Sequence, residues 1–222
     1  MMHPIEKFFM DHRNGWFTWW RYYDQEADFY DVTDTLEDGA HLRLDNLKLE
    51  VIHTPGHASG GIALYAPEEE FLISGDALWD GDIGALTSRI EGNNCLFLAL
   101  QALDRLSSLN VKKVFPGHGP PFTDFRSALD QTRTRLNMFV KDPSLMGLDQ
   151  MKKIIVFILM MKKGFPEQNF FDYLMQTPWF QETVDLFFDS RYKKIYQKIM
   201  AGFLEKEIVV IDNGQYKTSI HP

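Results

Sequence analysis

Two histidines and one aspartate stand in glycine-containing turns that directly follow apolar runs of the sequence. His57 lies in TPGHASGG (residues 54–61), Asp76 in SGDAL (74–78) and His118 in PGHGP (116–120). Polar residues at strand ends can be brought by loops into a common cleft. Neutral imidazoles and a carboxylate suit zinc and similar divalent ions, and the neighbouring glycines let the backbone approach closely. Together, the three residues predict a metal site.

In this order the three motifs resemble the TPGHxxG, GD and PGHG elements of the metallo-β-lactamase superfamily, over roughly residues 41–122. That family includes glyoxalase II-like thioesterases, lactonases and nucleases. The resemblance implies that His57 binds one metal ion, that Asp76 bridges two, and that His118 binds the other. It also implies zinc as the cofactor, as one or two ions, and a small-molecule ester, thioester or lactone as the substrate. His53 precedes the first motif and is expected to be structural.

A further element of that family, HxHxDH, is not present in this chain. No two histidines are separated by a single residue, and Lys7 and Phe9 stand where histidines would precede the Asp11-His12 pair. The resemblance implies that this motif supplies the remaining ligands and the aspartate that positions the attacking water. We therefore expect hydrolase activity to be impaired or absent in this chain.

The absence of HxHxDH is compatible with two explanations of the chain and with two functions. The chain is expected to be either a truncated form of a longer hydrolase or a naturally reduced relative, and in both cases the C-terminal half of the family's αββα sandwich. The first functional interpretation is a metal-dependent hydrolase. The alternative is a non-catalytic, dimerising interaction protein that keeps the fold.

Alternating apolar and polar residues predict the strands that position these side chains. The alternation from Leu42 to Val51 is interrupted by Asp45-Asn46, which indicates two strands joined by a tight turn. Further strands are predicted at Ile62–Tyr65, Phe71–Ser74 and Val111–Phe115, with a helix over Asn94–Leu109. Such an order is typical of a layered α/β domain, to which we assign residues 1–142.

After residue 120 the pattern becomes helical and then ends in a β-hairpin. Asn213-Gly214, between two strand-like runs, is a strong hairpin signal. Helices followed by a hairpin are similar to a winged-helix module, so residues 143–222 are interpreted as a second, mainly helical domain. Helices are predicted at Asp124–Val140, Leu148–Lys163, Glu167–Met175, Phe180–Phe188 and Arg191–Lys206, with breaks at Asp142-Pro143 and Gly164–Pro166.

The first thirty residues carry ten aromatic side chains: Phe8, Phe9, Trp16, Phe17, Trp19, Trp20, Tyr22, Tyr23, Phe29 and Tyr30. These rings could fill a core, or they could form a substrate-facing lid or a subunit interface. Half of a sandwich would leave one apolar sheet face without its usual cover. We therefore expect a homodimer, with the aromatic segment folding over that face as the other solution.

Composition limits the remaining possibilities. A hydrophobic fraction of 45% and a charged fraction of 24% predict a packed core. A net charge of -8 argues against nucleic-acid binding, including a DNA-binding role for the C-terminal domain. Cys95 is the one cysteine, which excludes an intrachain disulfide and fits a cytoplasmic protein. No secretory signal pattern is seen, and the apolar run Ile154–Met161 is too short to span a bilayer.

Overall fold

A computed structural model describes residues 1–15, 19–25 and 28–220 of the chain. The chain forms two compact units. The first unit comprises Met1–Thr18 and Asp28–Lys141, and the second comprises Trp19–Ala27 and Asp142–Pro222. No helix among the described residues is long and apolar enough to cross a membrane.

The first unit is built on a five-stranded mixed sheet with the strand order β1-β2-β3-β4-β5. Neighbours from β1 to β4 are antiparallel, whereas β5 runs parallel to β4 after a crossover that contains two helices. The elements of this unit are α1 (Pro4–Asp11), β1 (His41–Leu44), β2 (Leu47–His53), β3 (Ile62–Ala66), β4 (Phe71–Gly75), α2 (Ser88–Glu91), α3 (Cys95–Ser107), β5 (Lys113–Pro116) and α4 (Phe125–Lys141).

The two faces of this sheet differ in burial. Tyr65, Leu72 and Val114 lie side by side in register on one face and are at most 8% exposed. The opposite face carries a second row of paired residues, Leu64, Ile73 and Phe115. Leu64 and Phe115 are half-buried, and Ile73 is 39% exposed. The sheet unit therefore carries an apolar row that is only partly covered.

Helix α3 follows β4 and contacts the loop after β2. Its buried residues recur at three- and four-residue spacing, which gives one apolar stripe. A Cβ placed on Gly56 would lie 2.7 Å from the Cβ of Ala99, so glycine is needed where the loop meets this helix. Arg105 also donates a hydrogen bond to the carbonyl oxygen of His53, at 2.9 Å. The helix thereby holds the end of β2 in place.

The second unit is mainly helical and contains a three-stranded sheet of order β6-β8-β7. The turn between β7 and β8 is formed by Asn213 and Gly214, both with positive φ (51° and 72°), as a two-residue hairpin requires. The elements are α5 (Pro143–Met161), β6 (Phe165–Pro166), α6 (Glu167–Leu174), α7 (Pro178–Phe188), α8 (Tyr192–Glu205), β7 (Val209–Asp212) and β8 (Gln215–Thr218).

Two of the N-terminal aromatic residues belong to the core of this second unit. Tyr23 is fully buried, with its ring 6.0 Å from that of Trp179, and its hydroxyl accepts a hydrogen bond from Gln150. The hydroxyl of Tyr22 donates to a carboxylate oxygen of Glu182 at 2.8 Å. For these two rings, core packing is therefore what the structure shows. Trp16 and Phe17 lie outside the described residues, and Phe8 and Tyr30 are exposed.

The predicted fold class is confirmed: a mixed sheet with helices, a helical C-terminal region and a closing hairpin. Some predicted element boundaries are wrong. The break predicted at Asp142-Pro143 is the start of α5, since Asp142 caps this helix by accepting a hydrogen bond from the backbone of Ser144, and Pro143 is its first residue. Pro is favoured at that position because its missing N–H would have no helical partner. Helices α1 and α2 and strand β6 are additions to the predicted elements.

Candidate metal centre

The topology of the sheet brings the three predicted site residues to one edge. Strands β2 and β4 are each antiparallel to β3, and β5 is parallel to β4, so β2, β4 and β5 all run in the same direction. Their C-terminal ends therefore meet at the same edge of the sheet. His57 follows β2, Asp76 follows β4 directly, and His118 follows β5.

Asp76 lies between the two histidines. Its Oδ2 is 3.3 Å from Nε2 of His57, and its Oδ1 is 3.8 Å from Nε2 of His118. The side chains of His57 and Asp76 are 25% and 29% exposed, whereas that of His118 is 53% exposed. The three side chains thus converge as their positions in the sequence indicate, while their role as metal ligands remains a prediction.

The orientation of His57 is fixed by a backbone contact. Its Nδ1 lies 2.8 Å from the carbonyl oxygen of Ala85. Because a carbonyl oxygen can only accept, Nδ1 carries the hydrogen. In the neutral ring, Nε2 then presents a lone pair to the carboxylate of Asp76. Two acceptors at this distance repel each other unless a proton or a metal cation lies between them, so the pair fits a cation site chemically.

Imidazole and carboxylate are ligands that zinc accepts, but a structural zinc site has four ligands and a catalytic one has three protein ligands. In the part of the chain that the structure describes, no three His, Cys, Asp or Glu side chains form one compact ligand cluster. Each histidine faces its own oxygen of Asp76 instead. The donor types therefore fit a metal ion. An ion beside either oxygen of Asp76 would have that oxygen and one histidine as its ligands from these three residues.

Two glycines make room for these side chains. A Cβ on Gly84 would lie 2.6 Å from ring atoms of His57, and a Cβ on Gly117 would lie 2.6 Å from Oδ1 of Asp76. The backbone N–H of Gly84 donates to the carbonyl oxygen of Asp76 at 2.9 Å. Gly117 belongs to the PGHG motif, but Gly84 was missed, because the loop that contains it has no sequence periodicity.

The loop that carries His57 is held by side chains from three elements. Both the backbone N–H and the hydroxyl of Ser59 donate to Glu91 at 2.6 Å, and the N–H of Gly60 donates to Glu6 at 2.8 Å. Burial raises the pKa of Glu6, although the hydrogen bond from Gly60 opposes this and the nearby Glu91 adds to it. A ring nitrogen of His53 lies 2.8 Å from the carbonyl oxygen of Ser59. These contacts restrict how far His57 can move.

His53 makes structural contacts, as expected from the sequence. Its ring stacks on that of His3, with ring centroids 4.3 Å apart and planes 6° from parallel. Its backbone N–H donates to Asp38, which Arg105 also binds through both carboxylate oxygens. His53 therefore joins α1, β2 and α3 and is not directed at the metal centre.

Trp79 is a further residue of the site that sequence reasoning missed. Its indole nitrogen donates a hydrogen bond to Oδ1 of Asp76 at 2.9 Å. The sequence signal for this contact was the position of Trp79, three residues after the aspartate of the GD motif. An indole N–H so close in the sequence to a carboxylate can donate a hydrogen bond to it.

Comparison with known proteins identifies the family. Residues 3–118 of the chain match the metallo-beta-lactamase superfamily. The chain belongs to that superfamily. The match covers more than half of the 222 residues and contains His57, Asp76 and His118. It also begins well before residue 41, where the resemblance of the motifs starts. This is a superfamily of metallo-hydrolases, whose members bind metal ions.

The relatives of this metallo-beta-lactamase domain include hydrolases of two descriptions. The chain is 34% identical over 96 residues to a probable metallo-hydrolase, YqgX, of Bacillus subtilis, covering 43% of this chain and 44% of that protein. It is 28% identical over 99 residues to the human acyl-coenzyme A thioesterase MBLAC2, covering 45% of this chain and 36% of that protein. The aligned region thus spans less than half the length of either relative.

A solved structure supports the fold across almost the whole chain. A metallo-beta-lactamase family protein from Thermus thermophilus superposes with a TM-score of 0.54 at 21% identity, covering 98% of this chain and 71% of that one. At this identity the likeness supports the fold alone. It extends to the helical second unit as well as to the sheet.

Proposed function

We propose that this chain contributes to a metal-dependent hydrolase centre, in which His57, Asp76 and His118 hold zinc. The observation that carries the proposal is the carboxylate of Asp76, with a histidine Nε2 facing each of its oxygens. The Ala85 carbonyl supports it, because it holds the hydrogen of His57 on Nδ1, so that in the neutral ring the lone pair on Nε2 is directed at Asp76. The expected substrates are thioesters, and more broadly esters and lactones.

Zinc bound here would polarise a scissile carbonyl oxygen and lower the pKa of a bound water molecule. The residues of this chain would position that ion, with Asp76 contributing charge and the two imidazoles contributing neutral donors. The chain has no HxHxDH motif, so the donors and the water-positioning aspartate of that motif are not among its residues. We therefore propose that zinc binding is weak and that turnover by this chain alone is slow.

Calorimetric titration of zinc into metal-free protein tests the site. The unmodified chain should bind zinc, and Asp76→Ala or His118→Ala should weaken binding by at least the roughly 10- to 100-fold that losing an outer-shell partner costs. His41→Ala is the matched control, because His41 is an exposed histidine at the start of β1. If the unmodified chain binds no zinc, or if His118→Ala binds it equally well, the proposed site is wrong.

A second measurement tests the expected low activity. Zinc-loaded protein should hydrolyse acyl-coenzyme A, lactone and phosphodiester substrates far more slowly than the typical enzyme range of about 1–1000 per second. Turnover within that range that Asp76→Ala abolishes would show that the chain has a complete active site. That result would support the proposed metal-dependent hydrolase and would contradict its proposed impairment.

The alternative function, a non-catalytic protein that dimerises, is favoured by a separate observation. The apolar row Leu64–Ile73–Phe115 on the sheet of the first unit is only partly covered. Contiguous exposed apolar surface on soluble proteins often marks an interaction site. We propose a second copy of this chain as the partner, since symmetric dimers are the commonest oligomers of soluble proteins.

A further inference from the structure

Trp79 contacts two of the three proposed metal ligands through different parts of its indole ring system. Its Nε1–H donates to Oδ1 of Asp76 at 2.9 Å. Its ring meets that of His118 edge to face, with centroids 5.1 Å apart and planes at 71°. The backbone N–H of Trp79 donates to the carbonyl oxygen of Asp82 at 2.7 Å, which fixes the turn that carries the indole.

We propose that Trp79 is a positioning residue of the metal centre. Its N–H sets the rotation of the Asp76 carboxylate, and its ring sets the orientation of His118. This inference rests on the proposed zinc site, and it adds a residue that the family motifs do not include. Trp79 touches the ligands and not the reacting atoms, so its effect is on metal affinity and ligand geometry.

The argument for the carboxylate starts from its freedom to rotate. The terminal torsion of aspartate has a broad energy profile, so its side chain has no sharp preferred orientation of its own. Indole is a donor only, and the hydrogen bond from Trp79 therefore selects the orientation in which Oδ1 faces Trp79 and His118. Oδ2 is then directed at Nε2 of His57, 3.3 Å away. A carboxylate oxygen has two lone pairs, so Oδ1 can accept from Trp79 and still bind a cation.

The argument for His118 starts from its exposure. Its side chain is 53% exposed, about twice as much as those of His57 and Asp76. It lies in a turn between Gly117 and Gly119, residues that restrict the backbone little. Edge-to-face packing against an aromatic ring favours one orientation of the imidazole over others. Trp79 therefore packs against the most exposed of the three proposed ligands and restricts its orientation.

The test uses Trp79→Phe, which keeps an aromatic ring beside His118 but removes the N–H donor. Zinc affinity should fall roughly 10- to 100-fold, the usual effect of losing an outer-shell partner of a metal ligand. Trp20→Phe is the matched control, because it makes the same exchange at a half-buried tryptophan of the second unit. Zinc affinity of the control should be unchanged, and the two variants should melt within a few degrees of each other.

A spectroscopic signature tests the contact without any metal. In ¹H–¹⁵N spectra of the metal-free chain, the indole signal that is missing in Trp79→Phe belongs to Trp79. That signal should move when Asp76→Ala removes the acceptor, whereas the signal that Trp20→Phe removes should not. A role of Trp79 in packing alone would leave the first signal in place.

The outcomes separate this inference from the proposed function. If the unmodified chain binds zinc and Trp79→Phe binds it equally well, the positioning role is wrong and the zinc site stands. If Asp76→Ala leaves the indole signal of Trp79 unmoved, the hydrogen bond on which the inference depends does not exist in solution. If the unmodified chain binds no zinc, the proposed function fails, and the positioning of a metal fails with it.

Discussion

At the scale of single residues, the candidate site depends on Asp76, because its carboxylate makes contact with the other side chains of the centre. One oxygen faces His57, and the other faces His118 and accepts from Trp79. These contacts come from loops that follow different strands, so no local sequence pattern contains all of them. An asparagine at this position could still accept from Trp79, but it would lack the negative charge that attracts a metal cation.

A second residue-scale feature, His3, makes the stability of the fold depend on pH. Nδ1 of His3 accepts a hydrogen bond from the N–H of Ile5 and so caps α1. Partial burial lowers the pKa of His3, and the nearby His53 lowers it further, although Glu37 and Asp38 oppose the shift. Protonation of the ring would also remove the lone pair that forms the cap.

We predict that the contribution of His3 to stability is complete above pH 6.5 and is lost as the pH falls. The pKa is lower in the folded than in the unfolded chain, so the unfolded chain binds more protons below 6.5. His3→Asn keeps a good helix-capping side chain that does not titrate in this range. Between pH 7.5 and pH 5.5, the melting temperature of the unmodified chain should therefore fall more than that of His3→Asn. Parallel melting curves across this pH range would contradict the prediction.

At the scale of elements, two helix glycines illustrate how packing decides the effect of the same substitution. Gly202 lies within α8, and a Cβ there would meet nothing within 4 Å. Gly147 lies within α5, and a Cβ there would overlap with Cδ2 of Phe187. Helix propensity favours alanine at both positions, but there is space for its methyl group only at Gly202.

We predict opposite effects of alanine at these two glycines. Gly202→Ala should stabilise the second unit by about 0.5–1 kcal/mol, because alanine loses less backbone entropy in a helix. Gly147→Ala should destabilise it by roughly 1–3 kcal/mol, because the added methyl group overpacks against Phe187. Thermal unfolding followed by circular dichroism measures both. A gain in melting temperature for Gly147→Ala would show that Phe187 moves aside at little cost.

The strands and helices of the first unit were more predictable from the sequence than the start of α5. The strands that carry the site and the helices α3 and α4 are predicted within a few residues, because their apolar residues have a clear period. The predicted start of α5 is too late, because Asp142-Pro143 was interpreted as a break between helices. In the structure, Asp142 is the N-cap of α5 and Pro143 is suited to its first turn. The dipeptide fits two local patterns, a break between helices and a cap followed by proline at the first helical position, and the structure shows the second.

The convergence of the proposed ligands was predictable, whereas their surroundings were not. His57, Asp76 and His118 each stand at the end of a strand, and parallel strand directions bring such ends together. Trp79 and Gly84 reach the same place through a loop between β4 and α2 that has no periodic pattern. Their roles depend on contacts with Asp76 and with His57 and His118, and both histidines lie in other loops, so the neighbouring sequence does not predict them.

At the scale of the whole molecule, the sheet of the first unit is the feature that bears on assembly. Its row Tyr65–Leu72–Val114 is buried, while the row Leu64–Ile73–Phe115 on the other face remains partly open. Phe71 and Phe115 lie edge to face on that open side, with ring centroids 5.6 Å apart. A protein gains free energy by covering such a surface, at roughly 25 cal/mol for each Å² of apolar area.

We predict that the chain self-associates through this open row. A standard interface buries about 1,600 Å², enough to offset the ordering costs if its centre is apolar. Light scattering at micromolar concentration should give a mass of twice 25.9 kDa. Ile73→Lys should return it towards 25.9 kDa, because the charge would be desolvated in the interface. Leu186→Lys, at an apolar residue 67% exposed on α7, should leave the mass unchanged. A clean 25.9 kDa species for the unmodified chain would exclude the dimer at this concentration.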